Sequence, residues 1–192
     1  MSEIKNYFSK SSKTIESLNN FEKKIVFISD TIYQAYKKDK KILVAGNGGS
    51  CSDAEHFVGE LQCTYKKRTR KPLSAISLAS LPAAFTAWSN DFGYESFFKR
   101  QVEAHAKEDD ILFLISTGGG DEKSGASMSL VHAANEAKKR KLKLISLIGK
   151  SGGILKDISD IEITVKSDIT SHIQEAHIAI LHCICEQLEK KF

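Results

Sequence analysis

The chain has only two prolines, Pro72 and Pro82, and four cysteines in 192 residues. Scarce proline leaves long stretches free for helices and strands, since each proline removes a backbone donor and interrupts a regular element. Cys51, Cys63, Cys183 and Cys185 form no CxxC pair and show no zinc-finger spacing, and a chain long enough to bury a full core needs no disulfide staples. They are expected to be reduced and mostly packed. No run reaches the ~18 apolar residues of a membrane span, and the opening MSEIKNYFSKSSK lacks the apolar stretch of a signal peptide. A cytoplasmic protein with no membrane partner is expected. The net charge of +4 is too small to imply a nucleic-acid partner, and its densest cluster, Lys66 to Lys71, reads as a solvated loop.

What is present is an ordinary globular balance of 27% charged and 41% hydrophobic residues, which suits one domain over 1–192. Residues 1–40 read largely as helix: Phe21, Ile25, Ile28, Ile32 and Tyr36 recur at helical spacing, with Asn19 and Asn20 as candidate caps. The rest, 41–192, alternates apolar runs with helical patterns. The runs cover 41–46, 74–79, 110–116, 142–149 and 161–165; helical patterns cover 52–63, 82–88, 95–106, 128–140 and 171–190. Near-continuous apolar strands separated by helices predict a five-stranded parallel sheet flanked by helices on both faces.

Two polar turns follow strands. The first strand ends in Gly46-Asn47-Gly48-Gly49-Ser50, directly before a helix. Glycines there let the backbone approach an anion, and the helix N-terminus favours negative charge. The pattern is neither GxGxxG nor a P-loop, so a sugar or its phosphate fits better than a nucleotide and no nucleotide cofactor is expected. The third strand ends in Ser116-Thr117-Gly118-Gly119-Gly120, with Ser124-Gly125-Ala126-Ser127 opening the next helix. Helix capping alone explains the hydroxyls of one such turn; two at one sheet edge indicate a ligand crevice beyond the strand ends. His56 and Glu60 share a helix face beyond the first turn, where a plain surface pair is the alternative. Gln174 and His182 lie about 12 Å apart along the last helix, at ~1.5 Å per residue. His177 and His182, set among isoleucines, are more commonly core residues on spacing alone.

In five ordered blocks the chain resembles the SIS-domain (sugar isomerase) family, and within it the phosphoheptose isomerases: AGNGGSCSDAEHFVGEL (45–61), SNDFGYESFFKRQVEA (89–104), ILFLIST (111–117), GKSGG (149–153) and IQEAHIAILH (173–182). The resemblance implies the SIS fold and an aldose-ketose isomerisation of sedoheptulose 7-phosphate to D-glycero-D-manno-heptose 7-phosphate through an enediol, a step toward lipopolysaccharide or capsule heptose. It implies Glu60 as the carboxylate base and His182 as its acid/base partner. It places substrate contacts at Asn47, Gly48, Gly49, Ser50, Glu60, Asn90, Asp91, Ser116, Thr117, Ser124, Ser127 and Gln174. It also implies one zinc per subunit, held by His56, Glu60, Gln174 and His182, and a homotetramer in which the N-terminal helices pack between subunits. A metal-bound lone pair cannot also take a proton, so zinc polarisation of the carbonyl and proton transfer compete for Glu60 and His182, and the sequence leaves both open.

Three departures bear on the substrate. Residues 118–123 are inserted after Ser116-Thr117 relative to the family's phosphate loop, bringing Asp121 and Glu122 toward it; Thr64 stands where the family has arginine; and His172 stands where arginine is common. Two alternatives follow, an isomerase paralogue for another sugar phosphate and a non-catalytic SIS binding or regulatory module. Glu60, Gln174 and His182 argue against the second.

Overall fold

The computed structural model describes residues 2–192. Two helices come first, α1 (Glu3–Glu16) and α2 (Glu22–Lys37), joined by a 3-10 turn at Ser17–Phe21. The α/β part then runs β1 (Ile42–Gly46), α3 (Gly49–Gln62), β2 (Ala75–Ser77), α4 (Pro82–Phe92), a 3-10 turn (Tyr94–Ser96), α5 (Phe97–His105), β3 (Ile111–Ser116), α6 (Met128–Lys139), β4 (Lys143–Gly149), α7 (Gly153–Ile158), β5 (Ile161–Val165) and α8 (Thr170–Glu189). All five expected strands and helical patterns are found, and the short helix α7 is added. Asn19 and Asn20 do not cap α2. They lie inside the 3-10 turn, and Phe21 occupies the cap position with no side-chain hydrogen bond.

The strands pair in parallel in the order β2-β1-β3-β4-β5. The chain therefore reverses direction across the sheet between β1 and β3, which pair from Ile42 and Ile111 to Gly46 and Ile115. In an open parallel sheet such a switch point leaves a crevice beyond the carboxyl ends of the two strands. Both polar turns lie there.

Burial of alternate strand residues on opposite faces builds two cores. Ile42, Val44, Ile111, Phe113, Ile115, Ile145 and Leu147 face α2, α3 and α8, whereas Leu43, Ala45, Leu112, Leu114, Leu144 and Ile148 face α5 and α6. On the first face Phe57 of α3 packs on Phe113 with ring centroids 5.2 Å apart; each such buried ring contributes on the order of 2 kcal/mol. Ile28 and Ile32 of α2 are fully buried on the same face, so the expected stripe closes on the chain's own core. Helix α1 differs. It has no buried residue, and Ile4 and Phe8 are 70% and 66% exposed. Its anchors to α8 are Tyr7 and Ser11, both donating to the Glu175 carboxylate, and the Tyr7 ring, which meets His172 edge-on at 4.6 Å.

Among the described residues no helix is long and apolar enough to cross a membrane. All four cysteines are free, but only Cys185 is buried; Cys63 and Cys183 are exposed and Cys51 is half-buried, so most are not packed as expected. The basic segment is not uniformly solvated either, because Arg70 is buried.

Candidate active site

The turn after β1 is shaped by glycine. Gly48, at φ 57° and ψ −124°, holds a backbone conformation that side chains oppose, and it sets the first turn of α3 at the strand end. A Cβ on Gly49 would lie 2.4 Å from Gln174 Nε2, so the missing side chain lets the α8 amide rest against the loop. Asn47 Nδ2 donates to Ser129 Oγ at 3.3 Å, which joins this turn to the first turn of α6.

The neighbouring turn after β3 is tied by Ser116. Its hydroxyl accepts the Gly119 N–H at 3.0 Å and meets Ser127 Oγ at 3.1 Å. Ser127 takes the left-handed conformation at φ 59° to open α6. The inserted residues fold back on themselves: Asp121 N–H donates to the Ala126 carbonyl, and the Asp121 carboxylate accepts the Ser124 hydroxyl at 2.7 Å and the Lys123 N–H at 3.1 Å. The Ser124 hydroxyl, then that N–H, hold the Asp121 carboxyl below its usual range. Ser124 is thus spent on the insertion and does not join Ser116 and Ser127.

Helices α3 and α8 lie side by side on the first face, and their contacts advance in step, Gly49 with Gln174 and then His56 with His182. The Nε2 atoms of His56 and His182 are 3.1 Å apart, and Glu60 Oε1 is 3.4 Å from His56 Nε2. The Tyr65 ring stacks on His182 at 5.8 Å and 25°. Sequence spacing alone predicts a core role for both His177 and His182, and only His177 has it. It is fully buried, its Nε2 meets the Ile148 carbonyl at 3.1 Å, and burial pushes its pKa down to about 4.

Not every expected residue joins these groups. Asn90 and Asp91 are exposed at the end of α4 and bond to each other at 2.8 Å. Thr117 is half-buried at its strand end. Gln174 belongs with the glycine turn rather than with His182.

A model of the SIS domain matches residues 6–149 of the chain. The phosphoheptose isomerase of Helicobacter pylori strain P12 is 43% identical over 180 residues, covering 94% of this chain and 88% of that protein. A probable phosphoheptose isomerase of Thermoplasma acidophilum is also 43% identical, covering 91% and 92%. A solved phosphoheptose isomerase structure from Francisella tularensis superposes with a TM-score of 0.91 at 35% identity, over 99% of this chain and all of that one. The chain belongs to the phosphoheptose isomerase family of SIS-domain proteins.

The matched SIS segment ends at β4, so α8, with Gln174 and His182, lies beyond it and is covered by the Francisella tularensis structure, which matches 99% of the chain. Three features of this isomerase had no sequence signal: Tyr65 on His182, Ser129 under Asn47, and the pairing of Arg70 with Glu189 across 119 positions. A further cavity of 490 Å³, lined by Phe27, Asp30, Lys38, Asp109, Ile111 and Lys143 among others, opens where β3 and β4 begin. It lies at the amino edge of the sheet, opposite the glycine turns, and has no part in the site.

Proposed function

We propose that the enzyme interconverts sedoheptulose 7-phosphate and D-glycero-D-manno-heptose 7-phosphate through an enediol. The observation that carries this is the contact of His56, His182 and Glu60 on two adjacent helices, of which α3 begins at the glycine-built turn and α8 rests Gln174 against it. The Glu60 carboxylate takes a proton from C1 of the ketose and returns it to C2. His182 delivers a proton to the C2 oxygen and accepts one from the C1 hydroxyl, so no net proton is gained or lost. Two Nε2 atoms 3.1 Å apart share one proton between them, which gives His56 the role of setting which tautomer His182 presents. The phosphate binds the hydroxyls of Ser116 and Ser127 and the amides at the start of α3 and α6.

Zinc suits part of this set. Two imidazole nitrogens and a carboxylate are good zinc donors, and a 3.1 Å nitrogen separation matches two ligands on one tetrahedral ion with bonds of about 2.0 Å. Among the described residues no group of three or more His, Cys, Asp or Glu side chains closes into a complete site: both contacts run through His56. His56, Glu60 and His182 would hold the ion, which would polarise the substrate carbonyl; a lone pair that Glu60 or His182 gives to zinc would not be the one that carries a proton. Gln174 sits two turns away.

Glu60 is eleven residues into α3, about 16 Å from the glycine turn at ~1.5 Å per residue. A seven-carbon phosphate ester does not span that distance, which supports a site completed between subunits of a homotetramer, with the bare apolar side of α1 as one packing surface. A single SIS domain over 1–192 acting in the cytoplasm completes this reading. The test is turnover of sedoheptulose 7-phosphate, with and without zinc, by wild type, Glu60→Gln and His182→Ala. Each substitution is expected to lower kcat by about 100-fold or more with the fold intact, and full activity in either variant defeats the assignment. A second reading, an isomerase for another ketose phosphate, is favoured by the engagement of Ser124 with Asp121; a screen of C5 to C7 ketose phosphates separates the two.

A further inference from the structure

Tyr94 lies in the 3-10 turn between α4 and α5, outside both the glycine turns and the carboxylate-imidazole group. Its hydroxyl donates to Asn47 Oδ1, while Asn47 Nδ2 donates to Ser129 Oγ. A primary amide offers two N–H donors and one acceptor oxygen. With the oxygen committed to Tyr94 and one N–H to Ser129, the second N–H has no partner among the described residues.

Packing and hydrogen bonds around the turn aim the hydroxyl. The Tyr94 ring meets Phe85 edge-on at 5.5 Å and Phe98 at 6.1 Å. His132 Nδ1 lies 3.2 Å from the Glu95 carbonyl, which ties the turn to α6, and Trp88 Nε1 donates to Ser96 Oγ at 2.8 Å, which ties it to α4.

We infer that Tyr94 is a positioning residue that fixes the amide of Asn47, committing its oxygen to the phenol so that the spare N–H is left for an oxygen of the sugar phosphate. Without the phenol hydroxyl the amide is free to turn over, and a phosphate or sugar lone pair then meets a carbonyl oxygen instead of a donor. The inference rests on the isomerase reading, since it assigns Asn47 to substrate binding.

Tyr94→Phe removes the hydroxyl and keeps the ring, so a role in packing alone predicts wild-type kinetics. The positioning role predicts a KM raised about three- to ten-fold, the scale of one hydrogen bond, with kcat within about two-fold and an unchanged melting temperature. The same KM ratio measured in an Asn47→Ala background falls to one, because the positioning role is exerted through that amide. Wild-type KM in Tyr94→Phe overturns the inference, as does a KM penalty that persists in the Asn47→Ala background. Calorimetric Kd values for sedoheptulose 7-phosphate are taken on the same four proteins and are expected to follow the KM pattern. If wild type turns over no ketose phosphate, the isomerase reading fails and the Kd pattern decides on Tyr94 alone; a wild type that neither binds nor turns it over defeats both.

Discussion

Arg70 and Glu189 form a nearly dry ion pair, Nε to Oε1 3.5 Å, with side chains 2% and 9% exposed. Each partner also fixes backbone. Glu189 accepts the N–H groups of Tyr65, Lys66 and Lys67 at 2.9 to 3.1 Å. Arg70 donates to the carbonyls of Glu60 at 2.6 Å, Leu61 at 3.0 Å and Lys71 at 2.7 Å. One pair therefore joins the end of α3, which carries Glu60, to the end of α8, and holds the loop whose Tyr65 stacks on His182.

Removing one member of such a pair leaves the other charge buried and unpaired. Glu189→Ala is expected to destabilise the fold by about 3 kcal/mol or more at pH 7, read as a lowered urea midpoint at fixed protein concentration. For the Glu189 carboxyl, burial raises the pKa, but the Lys66, Lys67 and Tyr65 N–H groups and Arg70 outweigh it and the net direction is down. A depressed carboxyl stabilises the fold above its unfolded pKa, near 4.3, and that contribution is lost as pH falls through the folded value. The gap between wild type and Glu189→Ala should therefore be widest at neutral pH and shrink below about pH 4. Equal midpoints at pH 7 count against the clamp.

Gly49 gives a way to disturb the site without disturbing the core. Its added Cβ would meet Gln174 Nε2 at 2.4 Å and Cδ at 2.9 Å, both near the end of a flexible side chain that can swing aside. Alanine also suits a helix better than glycine by up to about 1 kcal/mol. Gly49→Ala is thus expected to keep or slightly raise the melting temperature while lowering kcat/KM by about ten-fold or more, because the proposed site uses Gln174 for substrate and displacing such a group by an ångström is costly to turnover. Wild-type kcat/KM in a stable variant removes Gln174 from the site.

The parts of this fold that were readable in the sequence are those set by short-range pattern. The runs at 42–46, 111–116 and 143–149 are apolar at nearly every position because both faces of those strands are covered. The glycines after β1 and β3 mark the turns because backbone geometry demands them. His56 and Glu60 were readable as a pair because four residues bring side chains together on a helix. The contact between His56 and His182 spans 126 positions and follows from how α3 and α8 pack, which no local spacing encodes. Arg70 looked like one more solvated cation in a basic run, since its burial depends on carbonyls at the end of α3 and a glutamate from the last turn of α8. Ser124 matches the phosphate loop by residue type, yet the aspartate brought by the insertion captures its hydroxyl.

Asp53, one turn before His56, is half-buried, and its Oδ2 has no hydrogen-bond partner among the described residues. Burial pushes its carboxyl up from 3.8 to about 6, with His56 pulling the other way. A raised carboxyl pKa means the folded chain holds this proton more tightly than the unfolded chain. Between about pH 4 and pH 6 stability then declines as pH rises, and above pH 6 the cost of the buried charge is complete. Asp53→Asn cannot ionise, so the position no longer contributes this slope. The pH dependence of the difference is the readout, since the new amide shifts absolute stability by its own amount at every pH. Melting temperatures of the two proteins from pH 4 to pH 8 should diverge in favour of the asparagine variant up to about pH 6 and then run parallel. A wild type that gains on the variant with rising pH reverses the sign, and would mean that the ionised Asp53 finds a cationic partner, with His56 the nearest imidazole to supply it.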